Sequence, residues 1–100
     1  MPSKKITWPL SLFDIVYDIS MDLGRDRHFF DSKKIYKRLV RLPFFQEEIK
    51  PLLDNKHNRF RKYVSMNNAI NYRLNIMEKR RIIERLPRNR FYSIIDDRND

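Results

Sequence analysis

The sequence predicts a single, mostly α-helical domain that ends in a small β-hairpin. Apolar residues recur at helical spacing in three segments between residues 11 and 80. Residues 82–86 and 90–95 are rich in β-branched and aromatic side chains, and Pro87-Arg88-Asn89 between them suits a tight turn. With 41% hydrophobic residues, the 100-residue chain can bury one modest core, so residues 1–100 form one domain. Residues 1–7 and 96–100 are expected to be flexible ends.

The first helix is predicted over residues 11–23, with Gly24 placed to end it. Its apolar face comprises Leu12, Ile15, Val16, Ile19 and Leu23. The opposite face carries Asp14, Asp18 and Asp22, each one turn from the next. Carboxylates at this spacing can hold a hard cation, but they repel one another and no second set of ligands is evident. We interpret them as a solvated or partner-facing acidic stripe.

A second helix is predicted over residues 31–42, because Asp31 is a natural N-cap and Pro43 stops the helix. Its outward side chains are basic: Lys33, Lys34, Lys37, Arg38 and Arg41. This second basic patch either touches phosphates or is a solvated face. Residues 44–54 are apolar but interrupted by Pro51, so two short turns or a bent helix are expected there. A polar loop or fraying helical turn is expected over 55–63.

The third helix is predicted to begin at the N-cap Ser65 and to run to about Arg80. Its buried stripe comprises Met66, Ala69, Ile70, Arg73 or Leu74, and Met77. Four of the six other positions are asparagine: these positions are Asn67, Asn68, Asn71, Tyr72, Asn75 and Lys79. Asparagine is a middling helix former, so selection for helix stability would favour Glu, Lys or Gln instead. Because asparagine can make a bidentate contact with an adenine edge, this face is interpreted as a base-reading surface, with a plain solvated face as the alternative.

The predicted hairpin carries three arginines in or beside its turn, Arg85, Arg88 and Arg90. Like charges this close repel one another unless a polyanion lies nearby. Phosphate contact or insertion into a minor groove would use them, and the alternative is a charged edge that resists aggregation. Ile83, Phe91 and Ile95 are expected to pack into the core.

The net charge of +9 is concentrated in one part of the chain. Residues 55–93 contain eleven Lys or Arg and two acidic residues, an excess of nine that equals the charge of the whole chain. Arg59, Arg61 and Lys62, just ahead of the third helix, are placed to contact a phosphate backbone. A polyanion is therefore the expected partner.

Other classes of function find no support in the sequence. Without cysteine, disulfides and thiolate metal sites are excluded, and the two histidines show no zinc-ligand spacing. We find no nucleophile–base pair and no glycine-rich phosphate loop, so an enzyme is not expected, nor is a cofactor. No apolar run approaches the length of a membrane span, and no signal peptide opens the chain. We expect a soluble intracellular protein, cytoplasmic and either nucleoid-associated or inside a host cell.

The order of three helices followed by a basic hairpin resembles the winged helix-turn-helix DNA-binding domains of transcriptional regulators. The resemblance is carried by Ser65, Leu74, Met77 and Lys79 in the helix, by Ile82-Ile83-Glu84-Arg85, and by Arg90-Phe91-Tyr92-Ser93-Ile94. It covers the last third of the chain well. Residues 44–54 are then either an inserted helix, which we favour, or the middle helix of the motif.

The resemblance implies sequence-specific binding of double-stranded DNA, with residues 65–79 in the major groove and residues 82–95 on the backbone or in the minor groove. The residues expected nearest the bases are Asn67, Asn68, Asn71, Tyr72 and Asn75. The residues expected to hold the backbone or a minor groove are Arg59, Arg61, Lys62, Arg73, Lys79, Arg85, Arg88 and Arg90. A homodimer is also implied, with the first helix near Trp8 and Phe13 as the contact.

Two rival functions remain open on the sequence. Exposed tyrosines such as Tyr63, Tyr72 and Tyr92 could stack on RNA bases, although no sheet platform is apparent. The small size and the acidic first helix also suit an interaction module or inhibitor that docks on a protein.

Overall fold

A computed structural model describes residues 8–25, 28–56 and 59–94, with side chains at all of these positions except 55, 56, 59 and 60. The ends predicted to be flexible, 1–7 and 96–100, lie outside these ranges. The helices and strands, in chain order, are α1 (Ser11–Leu23), α2 (Ser32–Leu39), a π-helical turn (Phe45–Ile49) that runs into α3 (Lys50–Lys56), α4 (Arg59–Lys79), β1 (Ile83–Leu86) and β2 (Arg90–Ser93).

The core lies where α1, α2 and α4 pack against one another and against the hairpin formed by β1 and β2. Its fully buried side chains include Leu12, Val16, Ile35, Leu39, Ile49, Met66, Ile70, Leu74, Met77 and Ile83. The helical periodicity of the sequence identified the positions on α1, α2 and α4, because residues three and four apart share one face of a helix. Of the two candidates for the fourth position of the α4 stripe, Leu74 is the buried one.

The second helix and the segment after it differ from their predicted bounds. Asp31 caps α2 as predicted, since its Oδ1 accepts a hydrogen bond from the Lys34 backbone N–H at 2.9 Å. The helix ends at Leu39, and Pro43 begins the next helical segment instead of following the last one. That segment stays helical across Pro51. A π-helical turn lies just before the proline, and in it the Lys50 N–H bonds to the Phe45 carbonyl. Residues 43–56 thus form one helical segment with a π-helical turn inside it, and not two separate short turns.

The prediction that Ser65 caps the third helix is wrong, because α4 begins at Arg59 and Ser65 lies inside it. Residues 59–64 contain neither glycine nor proline, so nothing local ends the helix there. The Tyr63 ring also packs edge-on against Tyr36 of α2, with centroids 5.4 Å apart. A contact between distant parts of the chain thus extends the helix beyond its best local start signal.

The end of α4 is closed by a Schellman motif. The Ile82 N–H bonds to the Met77 carbonyl at 2.9 Å, and the Arg81 N–H bonds to the Glu78 carbonyl at 3.0 Å. Arg81 has a φ of 60°, the left-handed conformation in which glycine is usually found. This sharp reversal directs the chain from α4 straight into β1.

The C-terminal hairpin is antiparallel, with Ile83 opposite Ser93 and Leu86 opposite Arg90. Its turn, Pro87–Asn89, places Arg88 and Asn89 at φ angles of 66° and 56°. Ile83 and Phe91 are buried as predicted, whereas Ile95 lies outside the described residues.

A residue between α1 and α2 extends the sheet. The N–H and carbonyl groups of Phe30 bond to the carbonyl and N–H groups of Phe91, at 2.9 and 2.8 Å, and the two rings stack at 5.9 Å. The chain therefore contributes backbone to the sheet before α2 and again after α4. The predicted fold class is confirmed: a mostly helical domain with a C-terminal hairpin, in a layout consistent with a winged helix.

Gly24 ends α1 as predicted, but its role is a close approach between elements. Its φ of −87° is open to any residue. A Cβ atom at this position would lie 2.8 Å from the Ser93 backbone nitrogen and 2.9 Å from Cε1 of Phe30. Glycine is therefore needed here because β2 and Phe30 press against the end of α1.

We expect Gly24→Ala to lower the free energy of unfolding by about 1–3 kcal/mol, the usual cost of inserting a methyl group into a close-packed site. Urea denaturation followed by circular dichroism would measure it. Ser11→Ala, at an exposed position of the same helix, is the control and should change stability by less than about 0.5 kcal/mol. Equal stability of the Gly24 variant and the wild type would contradict the close approach.

Candidate nucleic-acid interface

One face of α4 is exposed to solvent. Its residues succeed one another at intervals of three, four or seven and therefore lie in one line along the helix. We call them the α4 face: Arg61, Asn68, Tyr72, Asn75 and Lys79. Tyr72, at the centre, has 63% of its surface exposed. The face contains no acidic residue, and it carries a basic residue at each end.

Two of the five predicted base-contacting residues do not belong to this face. Asn67 and Asn71 are half-buried on the side of α4, whereas Asn68, Tyr72 and Asn75 share the exposed line. Asn67, Asn71 and Asn75 follow at intervals of four, a row that drifts around a helix of 3.6 residues per turn. Three of the five predicted side chains, Asn68, Tyr72 and Asn75, therefore form the central part of the candidate surface.

Arg73, predicted to contact the backbone, lies partly inside the protein. Its Nη1 donates to the Ala69 carbonyl at 2.9 Å, and its guanidinium lies 5.9 Å from the centroid of the Tyr72 ring. Desolvation lowers the pKa of the Arg73 guanidinium, and the neighbouring Tyr72 partly offsets that effect. Arg73 therefore lies beside the α4 face, with its guanidinium near the Tyr72 ring.

Arg85 joins the hairpin to α4. Its Nε donates to both carboxylate oxygens of Glu78, at 3.1 and 3.3 Å, and its Nη2 donates to Oδ1 of Asn75 at 2.6 Å. Its Nη1 donates to Oδ1 of Asn89 in the turn at 2.8 Å, and its guanidinium covers the Phe91 ring at 4.8 Å. The side chain of Arg85 therefore connects the turn of the hairpin to the α4 face.

The two acidic residues of the basic segment are both engaged within the protein. Glu78 is paired with Arg85, and Glu84 accepts a hydrogen bond from the Tyr92 hydroxyl across the hairpin. Glu78 therefore places little unbalanced negative charge beside the α4 face.

The other two arginines of the hairpin are exposed on the wing, as we call residues 85–90. Arg88 lies at the turn, in the left-handed conformation. Arg90 donates from Nε to the Pro87 carbonyl at 3.3 Å, and its guanidinium lies 5.5 Å from the centroid of the Phe29 ring. Both charges face solvent, so both are accessible to a polyanion.

Lys62, next to Arg61 in the first turns of α4, is paired with a carboxylate. Its Nζ lies 2.6 Å from Oδ1 of Asp54. The hydrogen bond from Lys62, joined by the charges of Lys62 and Lys50, holds the pKa of the Asp54 carboxyl below its usual value, although partial desolvation opposes the shift. The folded state thus favours ionised Asp54, and this contribution is lost as the pH falls through the lowered pKa.

The side chain of Arg59 lies outside the described set. The basic residues of α2, Lys33, Lys34, Lys37 and Arg38, are exposed, as is Arg41 just after the helix, and Arg38 pairs with Asp22 of α1 at 2.8 Å. Trp8 and Phe13, expected at a dimer contact, are half-buried against the core, and Arg80 lies 5.4 Å from the Phe13 ring.

Within residues 8–25, 28–56 and 59–94, no group of three or more His, Asp or Glu side chains is placed to hold a metal ion. No helix of these ranges is both long and apolar enough to cross a bilayer.

Sequence reasoning missed the role of Arg85 and the contribution of Asn89. The charges of Glu78 and Arg85 are complementary, but a distance of seven residues across a helix end and a tight turn does not reveal a pairing. Left-handed Arg81 makes the pairing possible, because it turns β1 back alongside the last turns of α4. Comparisons with protein-family models, curated proteins and solved structures found no match to this chain.

Proposed function

We propose that this chain binds double-stranded DNA sequence-specifically and acts as a transcriptional regulator. One observation carries the proposal: Arg85 holds the wing beside an exposed helix face that is rich in asparagine and free of acids. A helix that reads a groove and an adjacent basic loop that holds the backbone are the two parts such binding needs. The concentration of the net charge in residues 55–93 supports the same partner.

In this proposal α4 lies in the major groove, which is wide enough for a helix. Arg61 and Lys79 are separated along the axis by about 27 Å, at 1.5 Å per residue, so they can reach phosphates at either end of the contact. Asn68, Tyr72 and Asn75 lie between them and face the base edges. Arg73 supports Tyr72 from within the protein.

The wing contributes Arg88 and Arg90 to phosphates or to the neighbouring minor groove. Arg85 is assigned a different part, because three of its nitrogens already donate within the protein. It holds the wing at a constant distance from α4, which keeps the two contacts in register on the duplex.

We further propose that the protein works as a homodimer inside a cell, bound to DNA in the cytoplasm or nucleoid, or in the corresponding compartment of a host. Two copies would read two half-sites about one helical turn apart. Analytical ultracentrifugation with and without a duplex would measure the stoichiometry, and one protein per duplex at saturation would contradict the dimer.

The direct test is a titration of the purified protein against a labelled duplex of random sequence at several salt concentrations. We expect binding whose logarithm falls linearly with the logarithm of the salt concentration, by about 0.9 for each phosphate contacted. Single-stranded RNA of the same length is the competitor. No binding at low salt by a folded protein, or a clear preference for the RNA, would overturn the proposal.

Removing Asp54 is expected to strengthen this binding. Asp54→Asn releases Lys62 from its ion pair, so one more cation becomes available to a phosphate. The salt slope should steepen by about 0.9, which corresponds to roughly eightfold tighter binding at 0.1 M salt. Glu47→Gln makes the same change of charge at an exposed residue other than the carboxylate that pairs with Lys62, and is the control. Equal slopes for the two variants would show that Lys62 does not contact DNA.

A further inference from the structure

Asn75 is held in one orientation by Arg85. Arginine has only hydrogen-bond donors, so the amide of Asn75 must turn its oxygen, and not its nitrogen, toward Nη2 of Arg85. The 2.6 Å length of this hydrogen bond is that of a contact assisted by charge. Glu78 and Asn89 accept hydrogen bonds from the guanidinium on two other sides, so three contacts favour the position in which Arg85 faces the Asn75 oxygen.

This orientation decides what Asn75 can offer to a ligand. The amide presents the N–H donors of Nδ2, and its oxygen lies against a positive charge. An adenine edge in the major groove offers an acceptor, N7, beside a donor, the N6 amino group. A guanine edge offers two acceptors, N7 and O6. The adenine amino group would approach an oxygen already bonded to a cation, whereas both guanine acceptors suit the donors and the positive potential.

We propose that Arg85 is a positioning residue that makes Asn75 select guanine over adenine at one base pair of the bound site. The inference rests on the proposed binding of duplex DNA and names the base that this part of α4 reads. It reverses the adenine preference that an unconstrained asparagine would have. Arg85 acts here through Asn75 and through the geometry of the wing, without contacting the base.

The test begins with the wild-type protein and requires no substitution. A duplex library randomised over the site is selected by binding, and the enriched sequence is resynthesised with guanine, adenine or 7-deazaguanine at each enriched purine. We expect one guanine whose replacement by adenine weakens binding about fivefold or more. Removing N7 at that guanine should weaken binding in the same direction.

Three variants then assign the preference to the pair. Asn75→Ala should make guanine and adenine equal at that position and leave the other positions unchanged. Arg85→Lys, which still only donates, should retain the preference for guanine. Arg85→Gln, whose amide can accept from Asn75 as well as donate, should admit adenine because the Asn75 amide can then turn over. Thermal unfolding of each variant identifies any that fails to fold.

The outcomes separate the inference from the function on which it rests. Duplex binding whose preferences are the same for wild type and Asn75→Ala would overturn the role of Asn75 and leave DNA binding intact. Selection of adenine at the position that depends on Asn75 would overturn the inference as well. Absence of binding to any duplex would overturn both.

Discussion

Phe91→Ala is expected to lower the free energy of unfolding by about 3–5 kcal/mol, the usual cost of deleting a buried aromatic side chain. Phe91 has 1% of its surface exposed, and its ring stacks on Phe30. The Arg85 guanidinium covers the same ring at 4.8 Å. The substitution therefore leaves a cavity between the hairpin, Phe30 ahead of α2 and the side chain of Arg85. A loss of this size is a large part of the total stability of a small domain.

Urea denaturation monitored by circular dichroism would measure this loss. Ile94→Ala is the matched control, because Ile94 is also apolar, lies three residues along the chain and is 51% exposed. The control should change stability by less than about 1 kcal/mol. A Phe91 variant as stable as the control would show that the hairpin does not close the core.

Removing Lys79 and Arg88 together is expected to weaken duplex binding by roughly 60-fold at 0.1 M salt. The figure follows from two phosphate contacts, each worth about 0.9 in the salt slope, so the slope itself should become shallower by about 1.8. Lys79 ends the α4 face and Arg88 lies at the turn of the wing, so the pair samples both parts of the proposed interface. The titration used for the wild type gives both quantities.

The control for this variant is the alanine replacement of Arg25 and Lys50, two exposed basic residues outside the α4 face and the wing. It removes the same charge from other surfaces, so a purely nonspecific attraction would weaken equally in both variants. Arg85 is kept in both, since its replacement would disturb Glu78, Asn75 and Asn89 at once. Equal losses in the two variants would contradict the proposed interface.

The helices and the hairpin could be predicted because their signals are local. The Asp31 cap, the apolar stripe of α4 and the turn at Pro87 depend on neighbours within a few residues. The errors arose where distant contacts decide. Ser65 is a good N-cap by residue type, yet α4 continues through Ser65, and the Tyr63 ring just before it packs against Tyr36. Gly24 marked the end of a helix correctly, but its reason is the approach of Phe30 and Ser93.

The candidate site could be predicted in kind but not in arrangement. Composition identified the asparagine-rich helix and the basic hairpin, since charge and side-chain chemistry are visible in one dimension. The division between exposed Asn68 and half-buried Asn67 was not visible, because it depends on which elements cover each side of α4. The same holds for Arg85, which the sequence groups with Arg88 although only Arg85 is turned toward α4.

By itself the sequence determined that this protein is a small, basic, mostly helical domain with a C-terminal hairpin and its positive charge in residues 55–93. These properties follow from composition, periodicity and short-range hydrogen bonding. The tertiary structure alone decided that Arg85 bonds to Asn75, ten residues away, and fixes the direction of its amide. That contact requires the left-handed turn at Arg81 to bring β1 beside α4. Its existence depends on packing in three dimensions, which no local pattern of residues encodes.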